Sequence, residues 1–164
     1  MVWASIWIDS RGRTQRSPLV IMNRDPSSAR NGYSAKSYIE ALEEGLLPNY
    51  RPGERFMMDN ARIHTAQRTS EFLMDHGIWT VDFPPYSPDL NPIEHLWWAL
   101  KRLLQKHYPH LSTRGRSQEE WDQFCEALKD CWRRIPTSLI RRLILSMPRR
   151  IQACQRARGY QTKY

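Results

Sequence analysis

The sequence predicts a single α/β domain in which helices flank a mixed sheet. β-prone and helical segments alternate along the first two thirds of the chain, and the last third has the apolar spacing of helices. Hydrophobic residues make up 40% of the 164 residues and include seven Trp, seven Tyr and four Phe, which is enough for a packed core. We therefore expect a sheet-containing core over residues 1–110 and a helical, basic extension of the same domain over residues 111–164.

The first two strands are predicted to form an antiparallel hairpin. Val2–Ile8 and Pro18–Met22 are apolar, β-prone segments. The polar segment between them, DSRGRTQRS, has Gly12 at its tip and is typical of a turn.

A helix and a short strand follow the hairpin. Apolar residues recur at helical spacing over Ser34–Leu47, and Pro48 lies just beyond the end of this helix. The segment RFMM, Arg55–Met58, then predicts a short strand. This strand leads directly to Asp59, so we expect that carboxylate at the edge of the sheet, where metals and substrates bind.

A second helix and a fourth strand complete the alternation. Thr65 is predicted to cap a helix that runs through His76, and Gly77 is predicted to end it. Trp79–Phe83 is the next predicted strand, and a pair of prolines closes it.

The segment PPYSPDLNPIEHLWWALKRLLQKHYP predicts a proline-stiffened loop and then a helix. Asn91 can cap this helix, and Pro92 suits its first position. One face carries Leu96, Leu100, Leu103 and His107. Another face carries Glu94, Trp98, Lys101, Arg102 and Gln105. The carboxylate and the cations therefore share a side of the helix.

Two more helices are predicted beyond a polar break, over Glu119–Ile135 and Thr137–Met147, before a basic tail. No apolar run approaches the ~18 residues that a membrane span requires. Cys125, Cys131 and Cys154 form no C-x-x-C pair, so neither a disulfide framework nor a zinc knuckle is indicated. A reducing intracellular compartment fits this cysteine usage best.

The net charge of +8 favours an anionic partner, and nucleic acid is the commonest partner of a basic soluble protein. Charge alone fits a merely solvated surface as well. In a mixed sheet, Asp59 and Glu94 are expected to converge at one edge, and 34 residues separate them along the chain.

Two motifs at this distance resemble a known family. The segments DNARIHT and PPYSPDLNPIEHLWWALKR are similar to the catalytic domain of Tc1/mariner-type DDE transposases. The terminal segment SMPRRIQACQRARGYQTKY is also similar to the end of such domains. The resemblance covers nearly the whole chain, and the paired motifs are more specific than either motif alone.

The resemblance implies a ribonuclease-H-like fold and cut-and-paste transposition, in which DNA strands are cleaved and transferred. In this family three carboxylates hold two divalent metal ions; Asp59 matches the second carboxylate and Glu94 the third. Hard oxygen ligands suit Mg²⁺ or Mn²⁺. The implied partners are double-stranded DNA, as transposon ends and target, and a second copy of the chain, and the implied location is the nucleus.

Both carboxylates also fit structural roles. Asp59 fits a capped turn, and Glu94, in the segment NPIE, fits a capping box that starts at Asn91. One carboxylate cannot fill both roles fully. The joint spacing of the two favours a metal-site origin for the pair.

The residues around the carboxylates have alternative roles as well. Asn60, His64 and His95 flank them, and either histidine fits the positioning of DNA or water as well as a plain helix end. Asp89 is predicted to make an Asx-type turn in the proline-rich loop.

The cationic side of the same helix has two interpretations. Trp98 fits the core or the stacking of a base. Lys101 and Arg102 fit a solvated face or contact with phosphate. The position of Glu94 on that side makes the DNA-contacting interpretation of all three worth testing.

One departure from the family pattern concerns the first carboxylate. In the family that Asp lies on the first strand of the sheet, ahead of the segment that VWASIWIDSRG resembles. Asp9 and Asp25 both fall in predicted turns and do not replace it. The paired helix-turn-helix modules of the family lie in the same missing region.

We therefore expect an N-terminally truncated domain without its first strand, either a gene-model fragment, an incomplete or inactive copy, or a relic. The alternative is a non-catalytic DNA-binding or chromatin-associated module derived from a transposase.

Overall fold

The computed structural model describes residues 1–112, 117–160 and 162–164. The strands are β1 (Val2–Trp3), β2 (Ile6–Ile8), β3 (Thr14–Arg16), β4 (Val20–Ile21), β5 (Arg55–Phe56) and β6 (Trp79–Thr80). The helices are α1 (Ala35–Gly45), α2 (Gln67–Asp75), α3 (Ile93–His107), α4 (Gln118–Arg134), α5 (Thr137–Ile144) and α6 (Met147–Arg156). Short 3₁₀ turns lie at Pro88–Leu90 and Pro109–Ser112. This content confirms the predicted α/β fold class.

The chain divides into two compact units, which are each discontinuous in sequence. The first unit comprises residues 1–5 and 20–88, and the second comprises residues 6–19 and 89–164. Each unit has its own helices and strands.

A pair of antiparallel strands contributes to each unit. In the first unit β1 pairs with β4, with Trp3 opposite Val20. In the second unit β2 pairs with β3, and the turn between them has Gly12 at a φ of 73°, as the predicted hairpin requires. The predicted strand Val2–Ile8 is broken between β1 and β2, and β3 lies within the segment predicted as a turn. The pairing is interrupted again before β4. Pro18 lies in this interruption and has no N–H to donate to a strand ladder.

Helix α1 covers the core of the first unit. Ser34 caps it, because the Ser34 hydroxyl accepts from the backbone N–H groups of Lys36 and Ser37. The buried core consists of Trp3, Val20, Met22, Tyr38, Ala41, Leu42, Leu46, Leu73 and Ile78. At the end of α1, Gly45 lies close to the ring of Trp3, with which an added Cβ would clash.

The first unit also contains a parallel strand pair. β5 pairs with β6, with Phe56 opposite Thr80, and the N–H of Val81 extends the pairing by donating to Phe56 O at 2.8 Å. Both strands are shorter than the predicted Arg55–Met58 and Trp79–Phe83. Among the described residues no strand is hydrogen-bonded between this pair and β1–β4, so the strands form two-stranded sheets instead of one larger sheet.

The start of α2 differs from the prediction, while its end agrees. Ala66 is the N-cap residue and makes no side-chain cap bond, so the predicted cap at Thr65 is wrong. The Thr65 hydroxyl points back into the preceding turn and donates to Ala61 O at 3.4 Å. Gly77 has a φ of 62° and ends the helix as predicted.

The second unit is built around Trp132 on α4. Its ring stacks on Trp97 of α3 with centroids 5.5 Å apart, and its Nε1–H donates to Ser17 O at 2.9 Å. Arg16 bonds to the last turn of α4, because its Nη1 donates to Trp132 O at 2.6 Å. α5 packs on β2, β3 and α3. The buried apolar residues of this unit include Leu90, Leu96, Leu100, Ala127, Cys131, Trp132, Ile135 and Ile140.

The C-terminal region contains one more helix than predicted. The sequence predicts a single helix over Thr137–Met147 followed by a basic tail, but α5 ends at Ile144 and α6 begins at Met147. Pro148 explains the break, because proline fits the first turn of a new helix and not the interior of a continuing one. None of the helices in the described ranges has the length and apolar character of a membrane-spanning segment.

Candidate active site

Asp59 follows β5 and uses its two carboxylate oxygens differently. Oδ1 accepts a hydrogen bond from the N–H of Ala61 at 3.0 Å and lies 2.6 Å from Nδ1 of His64. Oδ2 takes no hydrogen bond from the described residues, and half of the side chain is exposed. The turn-capping role and the metal-binding role therefore do not compete, because one oxygen serves the turn and the other is open.

His64 is held between Asp59 and a buried tyrosine. Its ring centroid lies 4.0 Å from that of Tyr38, and only 18% of the His64 side chain is exposed. The Tyr38 hydroxyl donates to the sulfur of Met58 at 3.6 Å, and burial raises the pKa of Tyr38. His64 therefore fixes the orientation of the Asp59 carboxylate from behind, as partners of metal-binding carboxylates do.

Replacing His64 tests this orienting contact. We expect His64→Leu to lower the free energy of unfolding by about 1 kcal/mol, because a hydrogen bond to a half-exposed carboxylate is lost. His64→Asn places an N–H donor near the position of Nδ1 and should lose less than half of that. Urea denaturation of both variants measures the difference. Equal losses would show that packing on Tyr38, and not the bond to Asp59, is what His64 contributes.

Asn60 has a structural bond next to the carboxylate. Its Nδ2 donates to Phe83 O at 2.5 Å. This contact joins the segment after β5 to the segment after β6 and so fixes the backbone that carries Asp59. The structure thus places Asn60 and His64 beside Asp59, in the same unit.

Glu94 lies in the first turn of α3 in the second unit. Asn91 Oδ1 accepts from the N–H of Ile93 at 3.3 Å, and Asn91 O accepts from the N–H of Glu94 at 3.3 Å. Pro92, and not Asn91 as predicted, is therefore the N-cap residue, and the helix begins at Ile93, whose N–H the Asn91 side chain still accepts. The Glu94 residue is exposed, on the positive end of the helix dipole, where a carboxylate is stabilised.

The exposed face of α3 carries the residues that were predicted to share a side with Glu94. Trp98 is 60% exposed, and the guanidinium carbon of Arg102 lies 4.7 Å from the centre of its ring. Lys101 is exposed as well. The core interpretation of Trp98 is therefore wrong. Its neighbour Trp97 is the one that packs inward, against Trp132.

His95 does not share this face. It is half-buried, and burial together with the nearby charge of Arg150 lowers the pKa of His95. Adjacent positions on a helix point in different directions. His95 therefore lies towards the packed side of α3.

The turn that leads into α3 is held by residues of the C-terminal region, a contact that has no local signal in the sequence. Asp89 Oδ2 accepts from the N–H and the hydroxyl of Thr162 at 3.0 and 2.7 Å, so the predicted Asx-type turn is wrong. Asp89 O accepts from Arg150 Nη1 at 2.5 Å. The Arg150 guanidinium is buried, bonds to Ser146 Oγ at 2.8 Å and lies 4.9 Å from the ring of Tyr164. These bonds fix the start of the helix that carries Glu94.

Asp9 and Asp25 lie in turns, as predicted. Asp25 accepts from Ser27 and from the hydroxyl of Ser34, and the bonds from Ser27 and Ser34 lower the pKa of Asp25 to about 2. Within the described residues no group of three or more His, Cys, Asp and Glu side chains could hold a metal ion. The open oxygen of Asp59 and the exposed carboxylate of Glu94 are hard donors that suit Mg²⁺ or Mn²⁺. Neither belongs to a group of three or more such side chains among the described residues.

The chain is similar to a family model and to several transposases. A family model described as DDE superfamily endonuclease matches residues 26–114. The chain is 40% identical over 118 residues to the Tc1 transposase of Caenorhabditis elegans, covering 72% of this chain and 40% of that protein. It is 38% identical over 131 residues to the Tcb2 transposase of Caenorhabditis briggsae, covering 77% of this chain and 45% of that protein. The chain thus spans less than half the length of these relatives.

Solved structures share the fold. The Mos1 transposase catalytic domain with raltegravir and manganese has a TM-score of 0.61 at 19% identity, covering 99% of this chain and 84% of that one. The Mos1 mariner paired-end complex with manganese has a TM-score of 0.62 at 21% identity, covering 98% of this chain and 44% of that one. This likeness confirms the predicted ribonuclease-H-like fold class.

Proposed function

The chain belongs to the DDE superfamily endonuclease family, with Tc1 and Tcb2 transposases among its relatives, and on this premise we propose that it acts on duplex DNA as a transposase catalytic domain. The proposed reaction is metal-dependent strand cleavage and strand transfer. The observation that carries the proposal is the geometry of Asp59, whose Oδ2 is open while His64 and the Ala61 N–H hold Oδ1.

We propose that the carboxylate of Asp59 and the carboxylate of Glu94 would each serve as a ligand for Mg²⁺ or Mn²⁺. Ions bound there supply charge that stabilises an in-line phosphoryl transfer. His64 and Asn60 keep the Asp59 carboxylate in place, and the turn at Asp89 keeps the start of α3 in place.

The exposed face of α3 is the proposed contact with the DNA backbone. Lys101 and Arg102 supply cations, and Arg102 is ordered by its position over Trp98. Phosphate contacts of this kind position DNA without reading its sequence. We also propose that two copies assemble on DNA and that the protein works in the nucleus; the paired-end complexes of the Mos1 neighbours support the assembly.

The described residues supply fewer carboxylates than the two-metal chemistry of this family uses. Asp9 and Asp25 are engaged in turns, and no three-residue metal-binding group is present in the described ranges. We propose that Asp59 and Glu94 alone bind a metal weakly and that cleavage needs a further carboxylate ligand. The second candidate function, a DNA-binding module without catalysis, is favoured by the same observation.

A manganese titration distinguishes the two candidates. We expect the chain to bind Mn²⁺ in the millimolar range, followed by electron paramagnetic resonance, and Asp59→Asn and Glu94→Gln each to weaken binding by at least about tenfold, since a charged ligand is lost. Asp75→Asn, which removes an exposed carboxylate at the C-terminal end of α2, is the matched control. DNA affinity should stay unchanged in all three variants.

The outcomes are separable. If Asp59→Asn and Glu94→Gln bind Mn²⁺ as the control does, the metal-site proposal fails and the non-catalytic module stands. If the chain binds no DNA at all, both candidates fail.

A further inference from the structure

The second unit carries a cluster of exposed arginines that the proposed active site does not use. It comprises Arg11 and Arg13 in the turn between β2 and β3, and Arg141 and Arg142 on α5. We call these four residues the arginine knuckle. Arg141 joins its two parts, because Arg141 Nη1 donates to Gly12 O, at the tip of the turn, at 2.7 Å.

Asp9 builds the turn that presents the first two arginines. Oδ1 accepts from the N–H groups of Arg11 and Arg13 at 3.0 and 2.9 Å. Oδ2 accepts from Arg13 Nε at 2.9 Å and from Gln15 Nε2 at 3.0 Å. These bonds hold the pKa of Asp9 far below its usual range, and the bond from the backbone N–H of Arg13 has the largest effect. The carboxylate therefore stays ionised at neutral pH. Asp9 is thus fully occupied within the turn.

The positive charge of the knuckle is therefore not neutralised by acidic residues of the β2–β3 turn or of α5. Asp9 is the one acidic residue between β2 and β3, and α5 has the sequence TSLIRRLI, without an acidic residue. The turn and α5 together carry four arginines and one carboxylate. Holding like charges close together raises the free energy of the folded state unless an anion lies nearby.

Two of the four arginines of the knuckle are held in place by bonds within it. The bond to Gly12 O fixes Arg141, and the ion pair with Asp9 fixes Arg13. Packing of α5 on β2 and β3 fixes the two elements relative to each other. All four cations are arginines, whose planar fork matches the oxygens of a phosphate better than the ammonium of lysine does.

We propose that the arginine knuckle is a second docking surface for the phosphate backbone of duplex DNA, separate from the exposed face of α3. The knuckle lies on other elements than Trp98 and Arg102 and includes no proposed metal-binding residue. The proposal rests on the proposed DNA-binding function and extends it, because a duplex held at two surfaces of one unit is fixed in direction as well as in position.

The salt dependence of DNA affinity tests this surface. The variant Arg11→Gln/Arg142→Gln removes two cations whose side chains make no hydrogen bond or ion pair among the described residues, so its fold should be intact. Each lost phosphate contact lowers the slope of log affinity against log salt concentration by about 0.9. We expect this variant to lose about two units of slope, measured by fluorescence anisotropy with a labelled duplex.

A charge-matched control separates local contact from net charge. Arg24→Gln/Arg68→Gln removes two exposed arginines of the first unit and should keep the wild-type slope. If the knuckle variant has the slope of the control, the knuckle does not contact DNA and the proposal is overturned, while the proposed DNA binding stands. If the wild-type chain binds no duplex DNA, the knuckle and the proposed function are both overturned.

Discussion

Raising the salt concentration from about 50 to about 200 mM should weaken the binding of duplex DNA to this chain by about a thousandfold. The net charge is +8, and the exposed face of α3 and the arginine knuckle present cations from separate elements. About six phosphate contacts, each worth about 0.9 in slope, give an effect of this size because bound cations return to solution when protein replaces them.

The same measurement tests sequence preference. Two labelled duplexes of equal length and unrelated sequence should bind with affinities within a few fold of each other, since phosphate contacts carry no sequence information. An affinity that stays constant between the two salt concentrations would mean that the basic surfaces do not contact phosphate. A strong preference for one duplex would point to contacts with base edges instead.

Replacing Gly45 with alanine should destabilise the first unit by about 2–3 kcal/mol, an effect of overpacking. A Cβ at this position would overlap the Trp3 ring, with Cε3 only 2.7 Å away, and would lie 3.1 Å from Cγ2 of Val20. Trp3 is 8% exposed and Val20 is 3% exposed, so neither has room to move. Alanine is favoured over glycine in helices by about 1 kcal/mol, which offsets only part of the clash.

Two further variants give this prediction its controls. Gly32→Ala adds the same methyl group where no atom lies within 4 Å, and its unfolding free energy should change by less than about 0.5 kcal/mol. The double variant Gly45→Ala/Trp3→Leu should lose less stability than the sum of its single changes, because the smaller side chain removes the clash. Additive losses, measured by urea denaturation, would contradict the close contact between Gly45 and Trp3.

Local signals in the sequence predicted much of the fold. The spacing of Tyr38 and Leu42 places α1, and the special backbone angles of Gly12 and Gly77 fall where turns were expected. Cap positions were less predictable. Thr65 has the right chemistry for a cap, but its hydroxyl is taken by the turn before it.

The candidate site was predictable only where its signals are local in sequence. The positions of Asp59 after a strand and Glu94 at a helix start follow from short segments. The contacts of Asp89 with Arg150 and Thr162 join residues 61 and 73 positions apart. Periodicity analysis counts every helical arginine as a polar, exposed residue. Neither the burial of Arg150 nor its contact with the α3 turn therefore has a sequence signal.

The second unit cannot close until synthesis has passed Trp132. Strands β2 and β3 come from residues 6–19, whereas the helices of the same unit lie after residue 88. The bond between Ser17 O and Trp132 Nε1 spans 115 positions. At synthesis rates of about 5–20 residues per second, a ribosome needs roughly 6–23 seconds to pass from one to the other. During that interval β2 (Ile6–Ile8) lacks the packing of α5, while residues 20–88 are free to fold. We expect chaperone capture or misfolding of the nascent chain to concentrate on this early segment.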